Sequence, residues 1–128
     1  MVHNNPHPNS QAAVDFLQLV VGGKIEEAYK KYVDMKGKHH NIFFPAGFQA
    51  LLKAMKESHV QFPNKEFTIK NVIGNGELVA VHSHMALNPA ENGMVVVHIF
   101  RFQNGKIVEM WDLGQPIPGN SPNKDGAF

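Results

Sequence analysis

Residues Val95 to Pro118 read VVVHIFRFQNGKIVEMWDLGQPIP, and the way this stretch pairs with itself decides the fold. Two apolar, β-type runs flank Asn104-Gly105, the strongest short-range hairpin signal a sequence carries. Three residues sit oddly inside runs otherwise built for burial: His98, Trp111 and Asp112. Burying a histidine or an aspartate is costly unless it is paired or hydrogen-bonded, and a pocket is the commonest place where such a group has a use.

Two registers are open. A two-residue Asn104-Gly105 turn pairs Gln103 with Lys106 and puts His98 on the face of Trp111. A three-residue loop, Gln103-Asn104-Gly105, pairs Phe102 with Lys106. It gathers Arg101, Ile107 and Glu109 on one face, allowing an Arg101–Glu109 ion pair, and His98, Phe100, Val108, Met110 and Asp112 on the other. The second register is favoured because it gives both charged strand residues a partner.

Upstream of the hairpin, two more segments alternate in strand fashion or end in turn formers. Strands are predicted over Glu66–Ile73, Leu78–Leu87, Met94–Phe102 and Lys106–Asp112, with Gly/Asn turns between them. The first half of the chain is helical in period. Asn9 or Ser10 can cap a helix through QAAVDFLQLVV that Gly22-Gly23 stops. KIEEAYKKYV places Ile25, Ala28, Tyr29, Tyr32 and Val33 on one stripe, and a third helix over about residues 47 to 59 buries Phe48, Leu51, Leu52 and Met55. DMKGKHHNIFFPAG, residues 34–47, reads as irregular. Helices followed by an antiparallel meander make an α+β pattern in which the helices cover one face of a curved sheet.

With 128 residues the chain suits a single domain, here residues 10–128 behind a flexible Pro/Asn-rich arm, residues 1–9, that holds His3 and His7. No cysteine is present, which excludes a disulfide framework, a thiolate metal site and a cysteine nucleophile. A formal charge of +1 with no basic cluster gives no reason to expect nucleic acid or a membrane as partner. The first residues, MVHNNPHPNSQ, lack the regions of a signal peptide and no apolar run reaches spanning length, so a cytoplasmic location is expected.

The motifs Ile99-Phe100-Arg101-Phe102, Gly105, Lys106-Ile107-Val108-Glu109-Met110-Trp111-Asp112 and Gln115-Pro116-Ile117-Pro118 resemble the SnoaL-like branch of the nuclear transport factor 2-like superfamily. His39-His40-Asn41, Val81-His82-Ser83-His84 and the tail Ser121-Pro122-Asn123, Gly126 and Phe128 resemble one bacterial subgroup of it. The resemblance spans nearly the whole chain and is specific for the fold but not for a reaction, since the superfamily hosts cyclases, isomerases, hydrolases, dehydratases and binding modules. It implies an α+β, cystatin-like cone: a bent mixed sheet around a long helix, with a deep pocket at one end and homodimerisation through the outer sheet face. It also implies that Asp112, matching the acid/base aspartate of polyketide cyclases, is catalytic. His98 matches a position held by aspartate or histidine. Met110 departs from the pattern, because many relatives have histidine there.

Asp112 is thus expected as the base that takes a proton α to a carbonyl, with His98 orienting it or hydrogen-bonding the carbonyl, and with no cofactor. The bland readings are a structural carboxylate and a satisfied core histidine. Tyr32, His40, Asn41, Phe44, Phe100, Met110 and Trp111 are candidate contacts for a small apolar carbonyl-bearing ligand. Tyr32 could equally cap the core, His40 and Asn41 could be turn residues, Phe43 and Phe44 an apolar lid, and Trp111 a packing side chain. His82 and His84 point to a dimer partner if Val79 and Val81 cover the helices, and into the cup if they do not. In the latter case they could form a divalent-metal site with His98, Asp112 and His40. Alternatives to catalysis are a non-catalytic ligand-binding protein and that metal-dependent site.

Overall fold

The computed structural model describes residues 7–128, so His3 and most of the expected arm lie outside the described residues. Three helices, α1 (Pro8–Val21), α2 (Ile25–Tyr32) and α3 (Phe48–Gln61), pack against a five-stranded sheet. The strands are β1 (Val33–His39), β2 (Glu66–Asn75), β3 (Leu78–Ala86), β4 (Met94–Gln103) and β5 (Lys106–Pro116). The sheet is open, in the order β1-β5-β4-β3-β2, with β1 parallel to β5 and every other pair antiparallel. The expected α+β class with a mixed sheet stands.

Two expectations need correction at the N-terminal side. Helix α1 starts at Pro8 rather than after Asn9 or Ser10, because His7 Nδ1 accepts from the Asn9 N–H at 3.2 Å and Pro8 needs no donor partner in the first turn. Ser10 is instead a buried helical residue. The segment expected to be irregular contains β1. Its charged residues Asp34, Lys36 and Lys38 hide the strand from any hydrophobic pattern, and its partner β5 is far away in sequence.

The core lies between helices and sheet. Phe16 of α1 meets Phe100 edge-on at 5.7 Å and Tyr29 of α2 at 5.3 Å, and Tyr29 meets Phe48 of α3 at 6.3 Å. Val79, Val81, Phe100, Phe102 and Ile107 supply the sheet's side of that core, all fully or nearly fully buried. Among the described residues no helix is long and apolar enough to cross a membrane.

The hairpin register differs from the favoured one in an instructive way. Asn104 and Gly105 both have positive φ, 52° and 78°, so the loop is the two-residue turn and Gln103 pairs with Lys106. Phe102 therefore faces Ile107, not Lys106. Continued without interruption, that turn would set His98 opposite Trp111 and send Asp112 to the other face. The register shifts once, between Arg101 and Phe102, because Val108 is an extra residue on β5. Beyond this bulge Arg101 pairs with Glu109, Phe100 with Met110 and His98 with Asp112. The expected partners meet, but Val108 sits in the bulge and Ile107 takes its place in the core.

The bulge is accommodated by Gly37. A Cβ at that position would lie 2.3 Å from the Val108 carbonyl oxygen and 3.0 Å from the Phe48 ring. Overpacking at such a backbone contact costs about 1–3 kcal/mol. Gly37→Ala is expected to destabilise the protein by about that amount, read as a lower urea midpoint at unchanged slope. An unchanged midpoint would show that β1 yields freely at the bulge.

Candidate functional site

Alternation along β3, β4 and β5 places His98, Phe100, Met110 and Asp112 on the helix-facing side with Val79 and Val81. His98 and Asp112 are directly opposed. His98 Nδ1 and Asp112 Oδ1 are both shielded from solvent, and neither has a hydrogen-bond partner. A buried polar atom left unpaired forfeits about 1–3 kcal/mol. Ser10 Oγ, His59 Nδ1 and Ser83 Oγ are in the same condition, but His98 and Asp112 are the two titratable groups that face each other across neighbouring strands.

The environment of the pair is mostly aromatic. Phe100 stacks on the His98 ring at 6.0 Å and Phe67 of β2 meets it edge-on at 6.3 Å. Burial holds His98 below its ordinary value of 6.5, against the opposing pull of the Asp112 charge, so the imidazole is neutral at pH 7. Tyr29, which the sequence shows only as a core-stripe residue, belongs to the same neighbourhood. Burial first, and the charge of Asp112 second, raise its phenol well above the usual tyrosine range and keep its hydroxyl protonated.

Asn41 reaches Asp112 from the loop after β1. Its Nδ2 donates to Asp112 Oδ2 at 2.9 Å, while its Oδ1 accepts from the Phe43 N–H at 3.0 Å, which fixes the orientation of the amide. One carboxylate oxygen is therefore held and the other left free. Phe44 lies in the same loop and is partly exposed.

The remaining candidates are placed elsewhere. Trp111 points to the outer face because its neighbours Met110 and Asp112 point inward. His40, one residue past buried His39, stacks on Trp111 at 5.2 Å with 15° between the rings. His40 Nε2 also lies 2.6 Å from Glu109 Oε2, and Arg101 donates to Glu109 Oε1 from Nε at 3.1 Å and Nη2 at 3.0 Å. The His40 hydrogen bond, followed by those from Arg101, keeps the Glu109 carboxyl below its usual range. His40 and Trp111 thus belong to an outer-face ion-pair cluster and not to the space around Asp112. Tyr32 donates to Asp15 Oδ2 at 2.5 Å at the edge of α1 and α2, with Lys31 3.6 Å from the same oxygen, so it ties two helices together. Burial and that hydrogen bond raise its phenol as well.

His82 and His84 lie on the outer face, because Val79 and Val81 cover the helices. Phe128 packs against both rings, at 5.4 and 5.2 Å. They therefore cannot join His98 and Asp112, which removes the metal site built from strand histidines. Among the described residues no group of three or more His, Asp or Glu side chains is arranged to hold a metal ion. A groove of about 350 Å³ beside α2 and α3 is lined by Glu26, Gln49, Leu52, Lys53, Lys56 and Glu57 and shares no residue with the His98–Asp112 pair.

The SnoaL-like domain model matches residues 14–110, ending two residues before Asp112. An NTF-2 like protein of unknown function from Burkholderia xenovorans LB400 superposes with a TM-score of 0.71 at 18% identity, covering 91% of this chain and 88% of that one. IdmH from Streptomyces antibioticus, a candidate polyketide cyclase, gives 0.69 at 18% identity over 85% of this chain and 93% of its own. A candidate polyketide cyclase from Acidithiobacillus ferrooxidans gives 0.69 at 17% identity, over 90% and 92%. At these identities the likeness concerns the fold alone. No curated protein matches the chain.

The depressed His98 value has a consequence for stability. Below pH 6.5 the unfolded chain binds a proton at this imidazole that the folded chain refuses, so stability present above that pH is lost as pH falls toward the folded value. Unfolding free energy is expected to drop as pH falls below about 6.5, with a contribution of at most about 1.4 kcal/mol per pH unit. Denaturant titrations of His98→Gln should show a flatter pH dependence; an identical slope would mean that His98 is not held neutral.

Proposed function

Because the chain belongs to the SnoaL-like family, we propose that it binds a small, largely apolar carbonyl compound at the His98–Asp112 pair and moves a proton at the α-carbon without a cofactor. The observation that carries this reading is the pairing of two shielded, unpartnered polar atoms, His98 Nδ1 and Asp112 Oδ1, on one side of the sheet. Two structural relatives named as candidate polyketide cyclases are consistent with it.

In the proposed step Asp112 Oδ1 takes the α-proton. The C–H electron pair becomes the new C=C bond, and the carbonyl π pair moves onto oxygen. That developing oxyanion needs a donor which is still protonated at neutral pH, and the Tyr29 hydroxyl meets the requirement. Asn41 keeps the second carboxylate oxygen engaged, so that Oδ1 faces the substrate. Neutral His98 adds no competing cation beside the carboxylate. Return of the proton to a different carbon gives isomerisation. Attack of the enolate carbon on a second carbonyl of the same molecule moves that carbonyl's π pair onto oxygen, and Asp112 returns its proton to the resulting alkoxide to complete aldol closure.

The test needs no knowledge of the natural substrate. Proton–deuterium exchange at the α-carbon of β-tetralone in heavy water, followed by NMR, reads enolisation directly. The protein is expected to accelerate exchange over buffer, and Asp112→Asn to lower that rate on the order of a hundred-fold or more with the fold intact. Acceleration that survives Asp112→Asn would remove the proposed base. Binding of the ketone with no acceleration would assign the site to ligand holding without turnover.

The partner in assembly is proposed to be a second copy of the chain, docked on the outer sheet face. Ile73, Ala80, Ile99 and Trp111 form a continuous row across four strands there, and Ile73 and Leu113 are 65% and 61% exposed. Exposed apolar side chains in a contiguous patch mark an interaction surface. Sedimentation should give a dimer at micromolar concentration and a monomer for Leu113→Glu; a monomeric wild-type chain would refute the interface.

A further inference from the structure

His39 ends β1 as a buried imidazole that the proposed chemistry does not use. Both ring nitrogens are committed to the backbone of the following loop. Nδ1 accepts from the Asn41 N–H at 3.1 Å, and Nε2 lies 2.8 Å from the Pro45 carbonyl oxygen. A nitrogen that accepts from an amide must be unprotonated, and one that meets a carbonyl must donate. The ring is therefore the neutral tautomer with its proton on Nε2.

This arrangement ties the start of the loop to its end. The strand ladder fixes the backbone as far as His40, whose N–H reaches the Met110 carbonyl oxygen at 2.8 Å. Beyond that point the loop has little packing to hold it, because Ile42 and Phe43 are 88% and 83% exposed. Besides the backbone bond from the Phe44 N–H to the Asn41 carbonyl oxygen at 3.4 Å, what holds it is the His39 ring and the Asn41 side chain, which accepts from the Phe43 N–H and donates to Asp112 Oδ2.

We infer that His39 is a positioning residue that acts through the Asn41 amide to set which oxygen of Asp112 stays free for the substrate. The inference rests on the reading of Asp112 as the base, but its link from His39 to Asn41 and Asp112 stands on geometry alone. A ring that pins both ends of the loop leaves the Asn41 amide one orientation. Loss of the ring lets the loop and the amide turn away together, and Asp112 then presents two equivalent oxygens. Positioning effects of this kind change rates on the order of ten- to a hundred-fold.

Heteronuclear NMR of the full isotope-labelled chain tests the link without a substrate. At neutral pH, His39 is expected to show an unprotonated Nδ1 and a protonated Nε2, and the Asn41 carboxamide protons to be slow in solvent exchange. His39→Leu should speed that exchange about ten-fold or more. His39→Gln, whose side chain offers one donor and one acceptor, should restore the protection. In the β-tetralone assay His39→Leu should lower kcat about ten-fold with little change in KM, and add nothing to Asn41→Ala in the double variant. Undiminished Asn41 protection in His39→Leu, or effects that simply add, would overturn the inference. If His39→Leu does not fold, a protonated Nδ1 in the wild-type chain would overturn it as well. Should Asp112→Asn leave exchange of the ketone unchanged, the base assignment fails, while the NMR readout still decides the His39 link.

Discussion

The candidate site depends on a single extra residue in β5. Val108 interrupts the ladder between β4 and β5, and every pairing beyond it is displaced by one. Side chains in a strand alternate with period two, so a displacement by one exchanges the two faces. The two-residue turn by itself would bring Trp111 across from His98 and turn Asp112 outward. With the bulge, Asp112 faces the helices beside His98, and Trp111 joins His40, Arg101 and Glu109 outside. Gly37 is the complement of that bulge, since β1 approaches the Val108 carbonyl too closely for any side chain.

The proposed chemistry rests on what surrounds the displaced aspartate. Aromatic walls and helices shield His98 and keep it neutral. Tyr29 arrives from α2 with a hydroxyl that burial and the nearby carboxylate keep protonated. Asn41 engages one carboxylate oxygen and leaves the other unpaired. In the proposed enolisation the free Asp112 oxygen is the proton acceptor and the Tyr29 hydroxyl, kept protonated by burial, is the donor. The outer cluster serves a different purpose. Glu109, clasped by Arg101 and His40, ties the bulged strand β5 to β4 and to the loop after β1 on its solvent side.

Much of the fold is legible in local patterns. The stripe of Ile25, Ala28 and Tyr29, the turn at Asn104-Gly105 and the strand alternation of Val79, Val81 and Phe100 each arise from neighbours close in sequence, and all appear in the structure. The strand β1 is not legible, because its ladder partner lies some seventy residues away and its exposed edge carries Asp34, Lys36 and Lys38. The site is readable only in part. His98 and Asp112 stand out as polar groups among apolar strand residues, while Tyr29 looks like any amphipathic-helix aromatic. His39 and Asn41 lie in a segment with no periodic signal.

Local sequence determined the three helices, the strands β2 to β5, and that the last two strands form a hairpin, since each follows from side-chain period and turn conformation. Membership of the SnoaL-like family was carried by motifs along the same strands. Sequence grouped His98 with Asp112 and Arg101 with Glu109, but tertiary structure decided how that grouping is reached and which of the two faces the helices cover. That choice depends on a bulge whose tolerance rests on a glycine in another strand, and on helices from the opposite end of the chain that shield one face and leave the other open. Neither contact leaves a trace within the window where a residue's own preferences are felt.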